Sequence, residues 1–396
     1  MSILNQTGAV IAMNIRSIPQ RLWMSSATVI AIALVVAVLL GFLSLVNGLR
    51  QTLEGAGARD VAIVIRDGAG AELNSVLSRE QINLLEELPG VARGADGRPR
   101  LSAELYVVVD GIKRSSGTKA NLPLRGLGAE GLAVRKQIRI KEGRMFTPGS
   151  NEIVVGAGLL REFSGYELGK TVRFGSNTWK VVGVFESPGS ALESELWADA
   201  PVVQSLFNRG SSFQTARVVM TSEADLAKFL AAAKADPRLK GVKAQSEFDF
   251  FAEQASSSGR TITIIGYVLG TLMAIGALAG AWNTMYSSVS ARAAEIATLR
   301  IIGFSGFSAF MGTMAEALVL SLIGALLGSG LMALFFNGMS ASTLGQGFTQ
   351  VAFRLAMSPA LIGGAIIVAL VIGFLGGFFP GLRAATQKPL IALNAQ

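Results

Sequence analysis

The 396-residue chain contains no cysteine and no histidine. The first absence excludes a disulfide framework and thiolate metal ligation; the second excludes a Ser-His-Asp triad and imidazole-bound zinc. Charge is also scarce. Charged residues make up 16% of the chain and apolar residues 51%, whereas an ordinary soluble domain carries about 25% charged residues. Such a composition requires an unusually large core or a membrane phase, and it excludes a disordered chain. Lack of cysteine suits either side of a membrane. Asp, Glu, Lys, Ser and Tyr are what remain for any catalysis.

The few charges are unevenly placed. Residues 51–259 hold 26 Lys+Arg and 25 Asp+Glu, while the rest of the chain holds 9 basic residues and 2 acidic ones. The net charge of +8 therefore belongs mainly to the apolar part. A nucleic-acid-binding protein would carry its cations on a polar folded surface, often interleaved with aromatics. Here they flank long apolar runs, which points to membrane lipid and away from nucleic acid as the surroundings.

A hydrocarbon core about 30 Å thick takes about 20 apolar residues as a helix. Twenty-eight uncharged residues lie between Arg21 and Arg50, 31 between Arg260 and Arg292, and 28 between Arg354 and Arg383. A further run from Phe307 to Phe336 is broken only by Glu316. The expected class is an α-helical membrane protein with four transmembrane helices, one plus three, and a large α+β extracytoplasmic domain inserted between helices 1 and 2. Its expected parts are an interfacial helix (1–24), spans 25–49, 260–287, 307–336 and 358–379, the inserted domain (50–259), a short helix (288–305), a loop (337–357) and a tail (380–396). Ala56-Gly57-Ala58 imitates a signal-peptidase site, but signal h-regions are only about 7 to 15 residues long, so the first run reads as an uncleaved anchor. Arg16, Arg21, Arg292, Arg300, Arg383 and Lys388 lie on one side against Arg354 on the other. That bias places both termini in the cytoplasm.

In the inserted domain, Val61–Ile65, Leu105–Val109, Glu152–Val155 and Lys180–Phe185 are β-branched runs bounded by Gly, Asp or Asn, and read as strands. Ser78-Arg79-Glu80-Gln81, followed by Ile82, Leu84, Leu85 and Leu88, reads as a capped helix ending at Pro89-Gly90; Ser222 to Lys234 reads likewise. The Gly- and Pro-rich stretch near 111–150 suggests two lobes. Gly165 to Thr171 imitates a phosphate loop but is one residue short and runs into a hairpin with its turn at Gly175 to Asn177. Glu193, Glu195 and Asp199 cluster around Trp197. Paired carboxylates can cleave glycosides, but a solvated loop leading to a helix capped near Asp199 is the favoured reading.

Small residues four apart let membrane helices approach closely. They occur at Gly266/Gly270 and Gly276/Gly280 in the second span, Gly324/Gly328 in the third and Gly373/Gly377 in the fourth; the surplus hints at dimerisation. Glu316, the one acid within a span, must face protein, water or a cation; a structural hydrogen bond to a neighbouring helix is favoured over a proton relay. Residues 290–303 place Ile296, Leu299 and Ile302 at helical spacing, with an Arg292/Glu295 pair and Gly303 as the cap. This reads as a short amphipathic helix at the membrane surface.

Ala294-Glu295-Ile296-Ala297-Thr298-Leu299-Arg300-Ile301-Ile302-Gly303-Phe304-Ser305, with Glu316-Ala317-Leu318 and Gly324 to Gly328, resembles the permease signature of MacB/FtsX-type (type VII) ABC transporters. Pro380 to Leu393 is similar to that family's closing motif. Glu142-Gly143-Arg144, Asn151 to Gly156, and Leu168 to Val184 resemble its extracytoplasmic domain. Ala294 and Ala297 depart from the pattern, which usually has a basic residue and a glycine there.

The resemblance implies a non-catalytic permease subunit of the cytoplasmic (inner) membrane, with no cofactor of its own; a cytoplasmic ABC ATPase subunit would bind ATP and Mg. A second permease copy, identical or related, would complete a dimer, and a periplasmic adaptor or substrate protein would be a further partner. Arg292, Glu295, Ile296, Leu299, Arg300 and Gly303 would form the coupling helix against the ATPase, carrying its motion to the outer domains. Cargo would be a lipoprotein, peptide or drug-like molecule. The alternative is an FtsX-like signalling scaffold activating an extracytoplasmic partner such as a cell-wall hydrolase.

Overall fold

The computed structural model describes residues 3–344 and 349–387. Lys388 and the rest of the expected tail, and part of the loop expected at 337–357, lie outside the described residues. The helices, in chain order, are α1 (Ile3–Ser17), α2 (Leu22–Glu54), α3 (Arg79–Glu86), α4 (Ala157–Glu162), α5 (Ala200–Leu206), α6 (Glu223–Ala235), α7 (Glu247–Ala291), α8 (Ala293–Ile301), α9 (Gly306–Phe335) and α10 (Pro359–Thr386). Two compact units result. One comprises residues up to 47, 261–339 and from 355 onward; the other comprises 48–260 and 340–354.

Among the described residues, α2, α7, α9 and α10 are the four helices long and apolar enough to cross a membrane. Such helices satisfy every backbone N–H and C=O within themselves, as a hydrocarbon phase demands. Ser305 caps α9 by accepting from the Ser308 N–H at 3.1 Å, and Ser358 caps α10 by accepting from Leu361, with Pro359 in the first turn. Two boundaries differ from the sequence reading. The second span begins at Glu247, because Phe250, Phe251 and Ala255 bury one face of α7 before the apolar run starts. The fourth continues through Pro380 to Thr386; a membrane helix buried in protein tolerates the one missing N–H.

The spans meet at glycines. A Cβ on Gly324 would lie 2.8 Å from the Val29 carbonyl oxygen, and one on Gly328 would strike the Ala33 oxygen, so α9 crosses α2 with backbones in contact. A Cβ on Gly266 would lie 2.6 Å from Phe42 Cβ of α2, and one on Gly377 of α10 would lie 2.6 Å from Ala317 Cβ of α9. A Cβ on Gly270 would make an ordinary 3.5 Å contact with Leu39. A Cβ on Gly276 or Gly280 would meet nothing within 4 Å, so neither packs closely against another span among the described residues. Ile32, Val36, Leu40, Ala325 and Ala369 fill the centre of the bundle.

The second unit is built on strands β1 (Val61–Arg66), β2 (Leu101–Lys113), β3 (Lys119–Leu127), β4 (Arg139–Gly143), β5 (Glu152–Gly156), β6 (Phe163–Ser164), β7 (Thr171–Phe174), β8 (Asn177–Glu186), β9 (Leu196–Asp199), β10 (Thr215–Val219) and β11 (Val242–Ser246). They form one sheet in the order β11-β1-β10-β2-β3-β9-β5-β8-β4, with β6 on β2 and β7 on β8. Among the described residues, only β3/β9 and β5/β8 pair in parallel. This continuous sheet replaces the two lobes expected from the 111–150 stretch, which instead supplies β3 and β4. Ser78 and Gln81 form the expected capping box of α3. The phosphate-loop imitation, Gly165 to Thr171, is the turn that leads into the β7/β8 hairpin, whose own turn has Gly175 at φ +58°. A hairpin of β12 (Ser340–Leu344) and β13 (Gln350–Arg354) also belongs to this unit. Ala352 N–H donates to Ser194 Oγ at 3.1 Å, and the Tyr106 and Thr349 hydroxyls lie 3.0 Å apart.

Candidate functional site

The expected coupling segment forms α8, closed at Gly303, whose φ of +102° is the left-handed cap geometry that glycine adopts without strain. The helix has two faces. On the inner one Arg292, just before the first turn, is 4% exposed. Its Nη2 donates to Asn14 Oδ1 of α1 at 2.5 Å, its Nη1 to Glu316 Oε2 of α9 at 3.5 Å, and its Nε to Glu295 Oε2 at 3.1 Å. Ser288 of α7 donates to the other Glu316 oxygen at 3.1 Å and itself accepts from Arg21 Nη1. One guanidinium thus ties together α1, α8 and α9, and the carboxylate it pairs with reaches α7. Ile296 packs with Val289 and Ala384, and Arg300 donates to the Ala385 carbonyl at 2.5 Å.

This placement corrects the sequence reading of the coupling residues. Arg292 and Ile296 face inward, Arg300 is anchored to α10 and Leu299 is half-buried. Glu295 and Gly303 remain on the open face, joined by Thr298, Ile301 at 59% exposure and Ile302 at 67%. Of the apolar stripe expected at Ile296, Leu299 and Ile302, Ile296 is buried, Leu299 half-buried and Ile302, the C-cap, exposed. Asn14 was missed, because only tertiary packing of α1 on α9 brings a residue 278 positions away to Arg292. Glu316 occupies the structural role expected of it, with its cation supplied by Arg292.

A second polar centre lies in the inserted domain. Arg125 of β3, Arg217 of β10 and Arg135 meet Glu72, Glu104 of β2, Glu195 and Glu247, the first residue of α7; all seven are buried. Arg125 binds Glu195 with Nη2 at 2.6 Å and Nε at 2.8 Å, and reaches Glu72 at 2.5 Å and Glu104 at 3.1 Å with Nη1. Arg135 forks onto both oxygens of Glu104 at 2.7 Å. Arg217 spends one nitrogen on each of three carboxylates: Nε on Glu247 at 2.6 Å, Nη1 on Glu104 at 2.5 Å and Nη2 on Glu72 at 2.9 Å. Arg125 also stacks 4.8 Å over Tyr106, and Arg135 5.3 Å over Trp197.

Burial alone would raise the carboxyls of Glu72 and Glu104. The surrounding guanidiniums outweigh it, Arg125 and Arg217 at Glu72 and Arg135, Arg217 and Arg125 at Glu104, and hold both below the ordinary carboxylate range. Burial, reinforced by the nearby Glu195, pushes the Tyr106 hydroxyl above its usual value.

The carboxylates around Trp197 are therefore not a solvated loop. Glu195 is part of this lattice and accepts from the Trp197 indole at 2.8 Å. Glu193 pairs with Arg161 at 3.1 Å, and Asp199, the residue preceding α5, accepts from the Gly149 N–H at 2.8 Å. Each is committed to its own donor, so no pair is poised as acid and base. Every carboxylate oxygen of Glu72, Glu104, Glu195 and Glu247 accepts a hydrogen bond. Such an arrangement fixes geometry. No metal-holding group of acidic side chains occurs among the described residues.

Residues 25–236 match the family model of the MacB-like periplasmic core domain, and residues 263–389 that of the FtsX-like permease C-terminal region. The macrolide export ATP-binding/permease protein MacB of Campylobacter jejuni is 26% identical over 376 residues, covering 86% of this chain and 57% of that protein. The ABC transporter permease YknZ of Bacillus subtilis is 26% identical over 282 residues, covering 65% of this chain and 66% of its own length. The crystal structure of the periplasmic region of MacB from Actinobacillus actinomycetemcomitans aligns with 54% of this chain and 96% of that one at 16% identity and a TM-score of 0.36. The chain spans little more than half the length of the curated MacB relative. With both halves of the family matched in order around four apolar helices, this chain belongs to the MacB/FtsX-type ABC transporter permeases, multi-pass proteins of the inner membrane.

Proposed function

We propose that the chain is the permease subunit of an ABC transporter in which a separate cytoplasmic ATPase, holding ATP and Mg, moves the extracytoplasmic domains of two permease copies. The work done is export or extraction of a lipoprotein, peptide or drug-like molecule. The observation that carries this reading is α7. It is one helix of 45 residues without proline, beginning at Glu247 of the inserted domain and ending at Ala291, next to Arg292 and α8. At 1.5 Å per residue it is about 68 Å long. No proline interrupts its hydrogen-bond ladder, and we read it as the rod that carries displacement from one end to the other across the Gly/Ser stretch Ser256 to Gly259.

The open face of α8, with Glu295, Thr298, Ile301 and Ile302, offers a small apolar patch with one charge, the type of surface a soluble ATPase can cover. The inner face, locked through Arg292, passes movement of that patch to α1 and α9. The Lys/Arg bias supports a cytoplasmic position for α8 and the termini. Relatives named for macrolide export and pyoverdine export support small amphiphilic cargo as one class.

Affinity purification of the full chain from its own cells in mild detergent tests the reading. An ABC ATPase should co-elute in stoichiometric amount, and Thr298→Asp on the open face should release it while the permease remains folded. Recovery of the wild-type permease free of any ATPase would overturn the proposal.

A further inference from the structure

The buried lattice has a feature that its stabilising role leaves unexplained: one of its carboxylates, Glu247, is the first residue of the helix that runs on into the second span. The segment that follows α2 meets it there. Ala58 N–H donates to Glu247 Oε2 at 3.1 Å, and Phe248 N–H returns a bond to the Ala58 carbonyl at 3.2 Å. Gly57 makes the approach possible, since a Cβ at that position would lie 2.6 Å from Phe248 Cα. Arg59 covers the Phe248 ring at 3.9 Å. The other oxygen of Glu247 takes the Nε of Arg217, which is fully buried in β10 and holds Glu104 of β2 and Glu72 with its remaining nitrogens.

We propose that Glu247 is the positioning residue through which the first and second spans grip the sheet of the extracytoplasmic domain. Its carboxylate joins the end of α2, the start of α7 and the β10/β2 core in one rigid node. The inference rests on the mechanical reading above and names the joint that reading requires. The grip is ionic in kind. An uncharged isostere retains the shape of Glu247, but its amide nitrogen cannot accept, so either the Arg217 Nε or the Ala58 N–H loses its acceptor whichever way the amide turns. A node made only by packing would not distinguish the two.

The natural absence of cysteine allows spin labels at two exposed positions alone, Ser176→Cys in the β7/β8 turn and Ser256→Cys on α7. Distances between them are measured in the full chain in nanodiscs, without ATPase and then with the co-purified ATPase, with and without ATP and vanadate. In the wild type the pair should give one narrow distance, unchanged by nucleotide, because α7 and the sheet move together. Glu247→Gln should broaden it and make it nucleotide-dependent, whereas Glu247→Asp, which keeps the charge, should restore most of the narrow distribution. Gly57→Ala, whose Cβ would press on the Phe248 and Glu247 backbone while every lattice side chain keeps its identity, should broaden it as well and serves if Glu247→Gln does not fold.

A distribution for Glu247→Gln as narrow as the wild type, or rescue by Gln better than by Asp, overturns the joint. Should the wild-type complex show no nucleotide-driven movement in any label pair, the mechanical reading fails. The nucleotide-free widths then still decide whether Glu247 is the node.

Discussion

Replacing Arg125 with methionine is the sharpest test of how the extracytoplasmic domain is held together. The substitution nearly preserves volume but removes hydrogen bonds to Glu72, Glu104 and Glu195. The lattice carries three cations against four carboxylates; without Arg125 two cations face four anions in a site closed to water. Removing one partner of a buried ion pair costs about 3–5 kcal/mol. For a domain of this size 1 kcal/mol moves the midpoint by about 2–4 °C. The expected fall is therefore about 6–20 °C, read by tryptophan fluorescence, since Trp179 and Trp197 are both fully buried in this unit.

The loss should also depend on pH. In the wild type the folded carboxyls of Glu72 and Glu104 lie below their unfolded values, so their contribution is present above about pH 4.3 and is lost only as pH falls through the depressed folded values. Without Arg125, burial gains over the remaining cation at Glu72, which then takes up its proton at higher pH. The gap between variant and wild type should be widest near neutrality and shrink as the solution is acidified toward pH 5. A variant that melts with the wild type, or a gap independent of pH, would refute the electrostatic account. Replacing the charged groups together by apolar residues should cost less than this single change, because well-packed apolar sets often match buried ion clusters in stability.

Arg292→Ala should destabilise the membrane unit by about 3–5 kcal/mol by leaving Glu316 without its cation, and Arg292→Lys should not rescue ATPase stimulation, since one ammonium cannot reach Asn14, Glu295 and Glu316 together; full stimulation by the Lys variant would count against the hub. Gly328→Leu should cost at least about 1–3 kcal/mol by overpacking, measured as lost resistance to detergent unfolding, whereas Gly276→Leu, on an open face, should leave the single chain's melting unchanged; equal effects would contradict the assigned packing. Glu152, hydrogen-bonded to Arg144 at 2.5 Å and held down to about 2, should titrate near that value by NMR, its favourable contribution persisting above about pH 4.3 and fading as pH falls toward 2. Arg144→Ala should return Glu152 toward the ordinary carboxylate value; an unshifted titration would exclude the pair.

Much of the membrane part was legible because a hydrocarbon phase imposes length and polarity on sequence directly. The four spans and the single acid among them could be read from runs between arginines. Their ends could not: Pro380 looks like a stop signal, yet α10 passes through it, and the outer third of α7 is amphipathic, without the apolar signal of a span. In the inserted domain, β1, β5, β8 and the capped α3 announce themselves by local pattern. The lattice does not, because its members lie 21 to 145 positions apart in pairing and each, taken alone, resembles an ordinary surface charge. Glu195 illustrates the limit: beside Glu193 and Asp199 it suggests a solvated acidic loop, and only Arg125, 70 residues away, shows why it is buried. On α8, spacing put Ile296, Leu299 and Ile302 on one face, of which only Ile296 is fully buried, and nothing in the local pattern signalled that Arg292 meets Asn14 and Glu316.

The central claim is that ATP hydrolysed beneath the membrane displaces the extracytoplasmic domain. The direct measurement is the distance between spin labels at Ser176→Cys in the two permease copies of the purified complex in nanodiscs, nucleotide-free and trapped with ATP and vanadate. The account predicts two distinct distances that interconvert with nucleotide state and merge when Thr298→Asp releases the ATPase. The same distance in both states, in a complex that hydrolyses ATP, would contradict it.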